Sequence, residues 1–387
     1  MESGGNHTHS ILLKSAAAVL LLLAAALFCG AAAADVTDNG NVAKIVETGT
    51  EYATVGEAIN AASAGQTVQM IADSREETIF VGSEKTVTLD LHGYVLSNIK
   101  REVDSTHGSV LLIMSGELTL QDTCSPAPVH YFKITNYNRT ELLELWVLDP
   151  LKTEDGTDSC IAIDEIDSYN GEHGWAKKGS DGKYVYKYVK VTGGCITGGS
   201  GIISDDSIRG GGVFIGNRGV FTMNGGNIVG NGCLFEQEMD WPYLAGGGIY
   251  LDDSDLSTVT INGGCIAGNN AQYGGGIYSF GETIDITGGK IIGNTAGCSG
   301  GGIMTLGSCT MTRGEIIGNT GYKMDDSPSS TMLMGAGAGV TFAYSLGTFT
   351  MSGGKIAGNF AITGGVLRGC CPSPRCIQSI QVLGACR

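Results

Sequence analysis

Three stretches of the chain end on asparagine 25 positions apart: VTINGGCIAGN (Val259–Asn269), IDITGGKIIGN (Ile284–Asn294) and CTMTRGEIIGN (Cys309–Asn319). Two more copies, FTMNGGNIVGN (Phe221–Asn231) and FTMSGGKIAGN (Phe349–Asn359), stand 38 and 40 residues to either side, and a weaker one, VKVTGGCITGG, covers Val189–Gly199. Most copies follow a second landmark: GGGV at Gly210, GGGI at Gly246, Gly274 and Gly300, or GAGV at Gly337. Self-similarity at this period is the mark of a solenoid, in which each unit packs mainly on its neighbours. The wide intervals contain CLFEQEMDWPYLA (Cys233–Ala245) and YKMDDSPSSTMLM (Tyr322–Met334), which read as loops let out from a constant unit.

The hydrophobic period selects strands. In each copy the apolar residues alternate (Phe221/Met223, Val259/Ile261, Ile284/Ile286, Cys309/Met311, Phe349/Met351), as on a strand with one buried face. Glycine pairs then break the strand, since only glycine enters positive φ without steric cost. Glycine supplies 62 of 387 residues without a Gly-X-Y period, which excludes collagen, and the helical segments of a leucine-rich repeat are missing. Coils stacked about 4.8 Å apart build a parallel β-helix whose equivalent positions form columns. One expected column is Asn231, Asn269, Asn294, Asn319 and Asn359; another places Lys290 beside Glu315, and Cys195 two rungs from Cys265.

The first coils are legible as well. In YATVGEAINAASAGQTVQMI, Thr54 and Glu57 have capping-box spacing, Val55, Ile59 and Ala62 share a helical face, and Gly65 stops the helix. Strands are expected at Val68–Ile71, Thr78–Val81 and Val87–Leu91. The order YATVGEAINAASAGQTVQMI … KTVTLDLHGYVLS, followed by GGG[IV] and T-x-x-GG-x-I-x-GN units, resembles exported right-handed parallel β-helix proteins of the pectin-lyase-like fold. Within that fold it resembles adhesin-like bacterial surface proteins, and more distantly the repeats of chlamydial polymorphic outer-membrane proteins. The resemblance covers about 52–96 and 189–365 and implies an all-β solenoid closed by a short N-terminal helix. The expected layout is a signal peptide (1–34), first rungs (35–124), an insertion (125–188), repeats (189–364) and an irregular Cys-containing tail (365–387).

Export is read from Lys14, the apolar run Ala16–Cys29 and an A-x-A site at Ala32 and Ala34, with cleavage before Asp35; an uncleaved membrane anchor is the alternative. The formal charge of −16 opposes nucleic acid and anionic lipid. Twelve cysteines become eleven once Cys29 is removed, leaving at least one without an intrachain partner. Four lie in the tail, which a disulfide cap, a zinc knot or a chain end foreign to the fold would each explain.

No catalytic set is evident. The candidate acids are Asp205-Asp206, Asp252-Asp253-Ser254-Asp255 and Asp325-Asp326, but adjacent Asp residues on a strand point to opposite faces, which disfavours a shared site. The Gly-His-Gly and Arg-x-Lys elements that accompany polygalacturonase carboxylates do not occur. No metal spacing or cofactor motif stands out; Ca2+ on the DDSD run is the one cation considered, against a solvated loop. An enzyme would need Asp252 or Asp205 beside Arg209 or Arg218. Ligand-binding candidates are the rings of the insertion, Trp146, Tyr169 and Trp175, and Trp241 of the 233–245 loop, which could stack on sugars or pack a local core. Outward Thr-x-Thr positions resemble ice-binding arrays, although Asp285 and the asparagines break them and strand propensity accounts for threonine there. The expected function is a secreted or cell-surface module that binds an extracellular glycan or host surface protein; a polysaccharide lyase or hydrolase and a structural fragment of a larger surface protein are the alternatives.

Overall fold

The computed structural model describes residues 40–98, 108–133, 161–162, 177–178, 184–185, 187–204, 207–233, 243–252, 256–281, 283–321, 337–343, 348–361, 367–370 and 380–382. These residues form a parallel β-solenoid. One complete coil runs Thr283–Ile286, Lys290–Ile292, Thr295–Ser299 and Ile303–Thr305, and each strand adds to its own stack. The four stacks, numbered here in coil order, hold eleven, eight, seven and eight strands. Among the described residues the third sheet begins at Ile202–Ser204.

Register follows the repeat. In the first sheet Phe221, Val259, Ile284, Cys309 and Phe349 are successive partners, as are Met223, Ile261, Ile286, Met311 and Met351. All ten are buried in one continuous core with Ile228, Ile266, Ile291 and Ile316 of the second sheet and Ile249, Ile277, Ile303 and Val340 of the fourth. A one-residue slip would expose a whole set of these side chains, so the pattern fixes the register. The expected cysteine column is present, with Asn227 between Cys195 and Cys265.

Glycine marks the corners. The second member of the pair has φ of 76°, 78°, 73°, 89° and 94° at Gly226, Gly264, Gly289, Gly314 and Gly354. This explains the one departure from the motif: Arg313 replaces the first glycine of its pair, while Gly314 keeps the position that must be left-handed. The middle glycine of each GGG is required by proximity instead. A Cβ on Gly275 or Gly301 would stand 2.3 Å and 2.4 Å from the carbonyl oxygens of Thr295 and Thr320 in the next coil.

The asparagine column is a buried ladder. Asn294 illustrates it: its Oδ1 accepts from the backbone N–H (3.0 Å) and Nδ2 (2.9 Å) of Asn269, and its own Nδ2 donates to Ile266 O and Asn319 Oδ1, both 2.9 Å. Every hydrogen-bonding position of the amide is used. The same pattern joins Asn231 to Asn269 and Asn319 to Asn359. Gly199, the last residue of the weak copy, heads the column and donates its N–H to Asn231 Oδ1. By contrast, Lys290 and Glu315 meet at 3.3 Å on the surface with half of the lysine side chain exposed.

The N-terminal helix spans Val55–Ala61, with Thr54 Oγ1 accepting from Glu57 N at 3.0 Å. Sequence reasoning missed a second cap: the Glu76 carboxylate, 20 residues on, accepts from Val55 N and Gly56 N at 2.6 Å and 2.9 Å. Val55, Ala58 and Ile59 are buried, and the helix touches Ala43–Ile45, Thr67–Met70 and Ile79–Val81. The early strands begin within a residue of expectation, at Thr67, Ile79 and Thr86, and Ser74–Glu76 is an unexpected addition. Leu367–Cys370 and Ile380–Val382, within the tail, pair in parallel with the fourth and first sheets.

Replacing Asn294 with Ala should cost on the order of 3 kcal/mol, because two donors of Asn269 and the Ile266 carbonyl would be left buried and unpaired. Lys290→Ala should cost below about 1 kcal/mol. Urea unfolding of the two variants checks the contrast; equal costs would refute the ladder's role.

Candidate functional site

The residue after each GGG[IV] faces outward on the fourth sheet, and successive coils align Phe214, Tyr250, Tyr278 and Met304. All four are buried, packed with Ile202 and Ala245 of the third sheet. Tyr250 and Tyr278 stack with centroids 5.4 Å apart and planes at 2°, and Phe214 tilts against Tyr250 at 5.3 Å. Arg209, the last residue of the strand Ser207–Arg209, sets its guanidinium 5.4 Å over the Tyr250 ring. Its Nη1 lies 3.3 Å from Asp252 Oδ1, and the Tyr250 hydroxyl donates to the same oxygen at 3.4 Å. Burial pushes the Tyr250 pKa upward, with Arg209 pulling the other way, so the hydroxyl keeps its proton and acts as a donor. The sequence singled out Arg209 and Asp252, and the structure brings them together; it missed the tyrosines, although the repeated GGGIY at Gly246–Tyr250 and Gly274–Tyr278 carried the signal.

What this cluster can do is limited by its own contacts. Asp252 Oδ1 is engaged by a cation and a hydroxyl, and hydrolysis requires a second carboxylate at fixed spacing. The nearby acids in sequence, Asp205, Asp206, Asp253 and Asp255, lie outside the described residues, as do Asp325 and Asp326. Among the described residues no group of three or more His, Cys, Asp or Glu could hold a metal ion.

A second polar cluster sits where the first sheet turns into the second. Asp90 accepts from Gln69 Nε2 (2.9 Å), His92 N (3.1 Å), Thr123 N (3.0 Å) and Thr123 Oγ1 (2.6 Å), and His92 Nδ1 lies 3.2 Å from that hydroxyl. Residue types suggest a nucleophile triad, but a nucleophilic hydroxyl must pass its proton to the base. Thr123 donates to Asp90 instead, so the trio ties coils together. Asp122 does the same by accepting from Gly93 N and Gly194 N at 2.6 Å and 2.9 Å.

The segments outside the described residues begin and end at defined places. Three of them interrupt strands of the third sheet: 205–206 between Ile202–Ser204 and Ser207–Arg209, 234–242 between Cys233 and Tyr243, and 322–336 between Gly321 and Gly337. The long insertion instead leaves through an antiparallel pair at the first-to-second corner, Val129–Lys133 against Lys187–Thr192. The ring candidates Trp146, Tyr169, Trp175 and Trp241 lie outside the described residues, as do the expected signal peptide (1–34) and most of the tail. Among the described residues no helix is long and apolar enough to cross a membrane.

Compared with known proteins, the chain matches no family model, and no curated protein or solved structure matches it either. The class defined here is therefore that of the fold: a parallel β-solenoid, three of whose breaks fall on one sheet.

Three thiols report on the packing of the coils. Burial is the main cause of the raised pKa at Cys195, Cys309 and Cys233, the last pushed up to about 12. A raised pKa in the folded state means that the thiol keeps a proton which the unfolded chain releases. Its stabilising contribution is present below the unfolded pKa near 8.5 and is lost as pH climbs toward the folded value, by about 1.4 kcal/mol per pH unit for each such thiol. Melting temperature should fall between about pH 9 and pH 11, and Cys309→Val should make that fall shallower; an unchanged slope would mean that the thiol is not buried.

Proposed function

We propose that this chain is an exported, right-handed β-helix of the pectin-lyase-like kind that works as an adhesin-like module on or outside the cell, binding an extracellular glycan or a host surface protein. The helix Val55–Ala61 would cap the open first coil, whose strand edges would otherwise invite pairing with other chains. Right-handedness follows the strong preference for right-handed crossovers between parallel strands. The observation that carries the reading is the common origin of three excursions in the third sheet, one of them bearing Trp241. Loops that leave one face of a rigid scaffold can be varied for recognition while the coils hold them in place. Trp146, Tyr169 and Trp175 supply rings from the separate insertion. No cofactor is required, Ca2+ on the 252–255 run being the one cation considered, and nucleic acid is disfavoured by the acidic charge. Contact with a membrane would come through an uncleaved N-terminal segment or another anchor.

A lyase or hydrolase acting on polysaccharide is the second reading, favoured by the Arg209–Asp252 contact at 3.3 Å. Glycan-array binding measured beside turnover assays on acidic polysaccharides separates the two. The binding reading expects retained glycans, a loss of about tenfold or more in Trp241→Ala, equivalent to about 1.4 kcal/mol, and no turnover. Chain cleavage that disappears in Asp252→Ala would replace it with the enzymatic one.

A further inference from the structure

We propose that the outer face of the first sheet is itself a binding surface for an extended, neutral polysaccharide laid along the solenoid axis. This rests on the glycan-binding reading but places the contact on the regular coils, away from the loops. The central outward column runs Thr88, Thr119, Thr222, Thr260, Asp285, Thr310 and Thr350, each the direct partner of the next with no register shift. These residues are half-buried along their strands and still meet solvent, while Asn224, Asn262, Thr287, Thr312 and Ser352 beside them are exposed. Hydroxyls and amides therefore recur about every 4.8 Å along the axis.

Two properties make this array suited to a repetitive neutral ligand. The first is preorganisation. Threonine is stiff about χ1, and the side chains hold one another across coils. Asn262 Nδ2 donates to Asn224 Oδ1 at 2.9 Å, Thr287 Oγ1 to Asn262 Oδ1 at 2.5 Å, Thr348 Oγ1 to Ser308 Oγ at 3.1 Å, and Thr310 Oγ1 to Asp285. A ligand that settles on groups already ordered freezes fewer rotamers.

The second property is charge. The chain carries −16, yet between Val220 and Ser352 the outward positions of this sheet include a single ionised side chain, Asp285, which already accepts from Thr310. A polyanion would be repelled by the surrounding field, and a polycation would find almost no partner here. A neutral sugar chain offers hydroxyls that both donate and accept. Each such bond adds little net stability in water, so attachment must come from many contacts on one connected chain and must grow with its length.

The test is depletion of the full chain from solution by microcrystalline cellulose, chitin and insoluble β-1,3-glucan, beside a polygalacturonate gel. Retention is expected on at least one neutral polymer, competed by long soluble oligosaccharides of that polymer and not by its disaccharide. The triple variant Thr222→Val, Thr260→Val, Thr310→Val keeps branched side chains on every strand, which circular dichroism and melting verify, and should weaken retention by about tenfold or more. Lys290→Ala, on the surface of the second sheet, should leave retention unchanged. Retention that survives the triple variant and fails in Trp241→Ala overturns this proposal and leaves loop-borne glycan binding standing. Stronger retention on polygalacturonate, no retention on any neutral polymer, or ice shaping by the wild-type chain that the triple variant loses each overturns it as well.

Discussion

The buried asparagine ladder is the constraint on which the rest of the structure depends. A solenoid coil is too short to form a core alone, so it must repeat its neighbour's path closely enough for backbone and bore to align. Four amide groups from Asn231 to Asn319, each bonded to the asparagine of the next coil, permit one register and no other. An unpaired amide in that position would carry a desolvation cost with no return. With the corner fixed, the inward Ile, Val, Phe and Met columns meet without slippage, and the glycines on either side supply turns that no other residue enters cheaply.

That rigidity divides the molecule into parts that repeat and parts free to differ. Where the third sheet is interrupted at 205–206, 234–242 and 322–336, the strands of the neighbouring sheets keep their pairing: Tyr250 still partners Tyr278, and Met304 still partners Thr341. The coil thus tolerates breaks of very different length at one place: Gly199, Asn231 or Asn319 of the ladder lies before the break, and Gly210–Gly212, Gly246–Gly248 or Gly337–Gly339 after it. The outer face of the first sheet between Val220 and Ser352 is the opposite case, regular from coil to coil and with Asp285 as its one ionised side chain. A protein of this design offers two kinds of surface, one varied and one periodic, and the two readings of its binding correspond to them.

The polar clusters teach restraint about residue lists. Asp90, His92 and Thr123 are the types a catalytic triad uses, yet the direction of the threonine's proton makes them a brace. Arg209 and Asp252 are the basic and acidic residues that an enzyme of this fold would need, and they pair with each other beside two stacked tyrosines. Residue type proposes chemistry, but donor direction and occupancy decide it.

Most of the architecture was legible in the sequence because a solenoid is held by contacts between equivalent positions, which a repeat displays in order. The period, the inward columns, the Asn231–Asn359 ladder, the Lys290–Glu315 pair and the Thr54 cap all followed from spacing. The tertiary structure alone decided what depends on positions that spacing does not relate. Glu76 caps a helix 20 residues before it, the aromatic column of the fourth sheet packs against the third, and three of the breaks fall on one sheet while the long insertion leaves from a corner. These depend on how the coil folds around its corners in space, and that path is set by packing between sheets, which no single strand's pattern encodes.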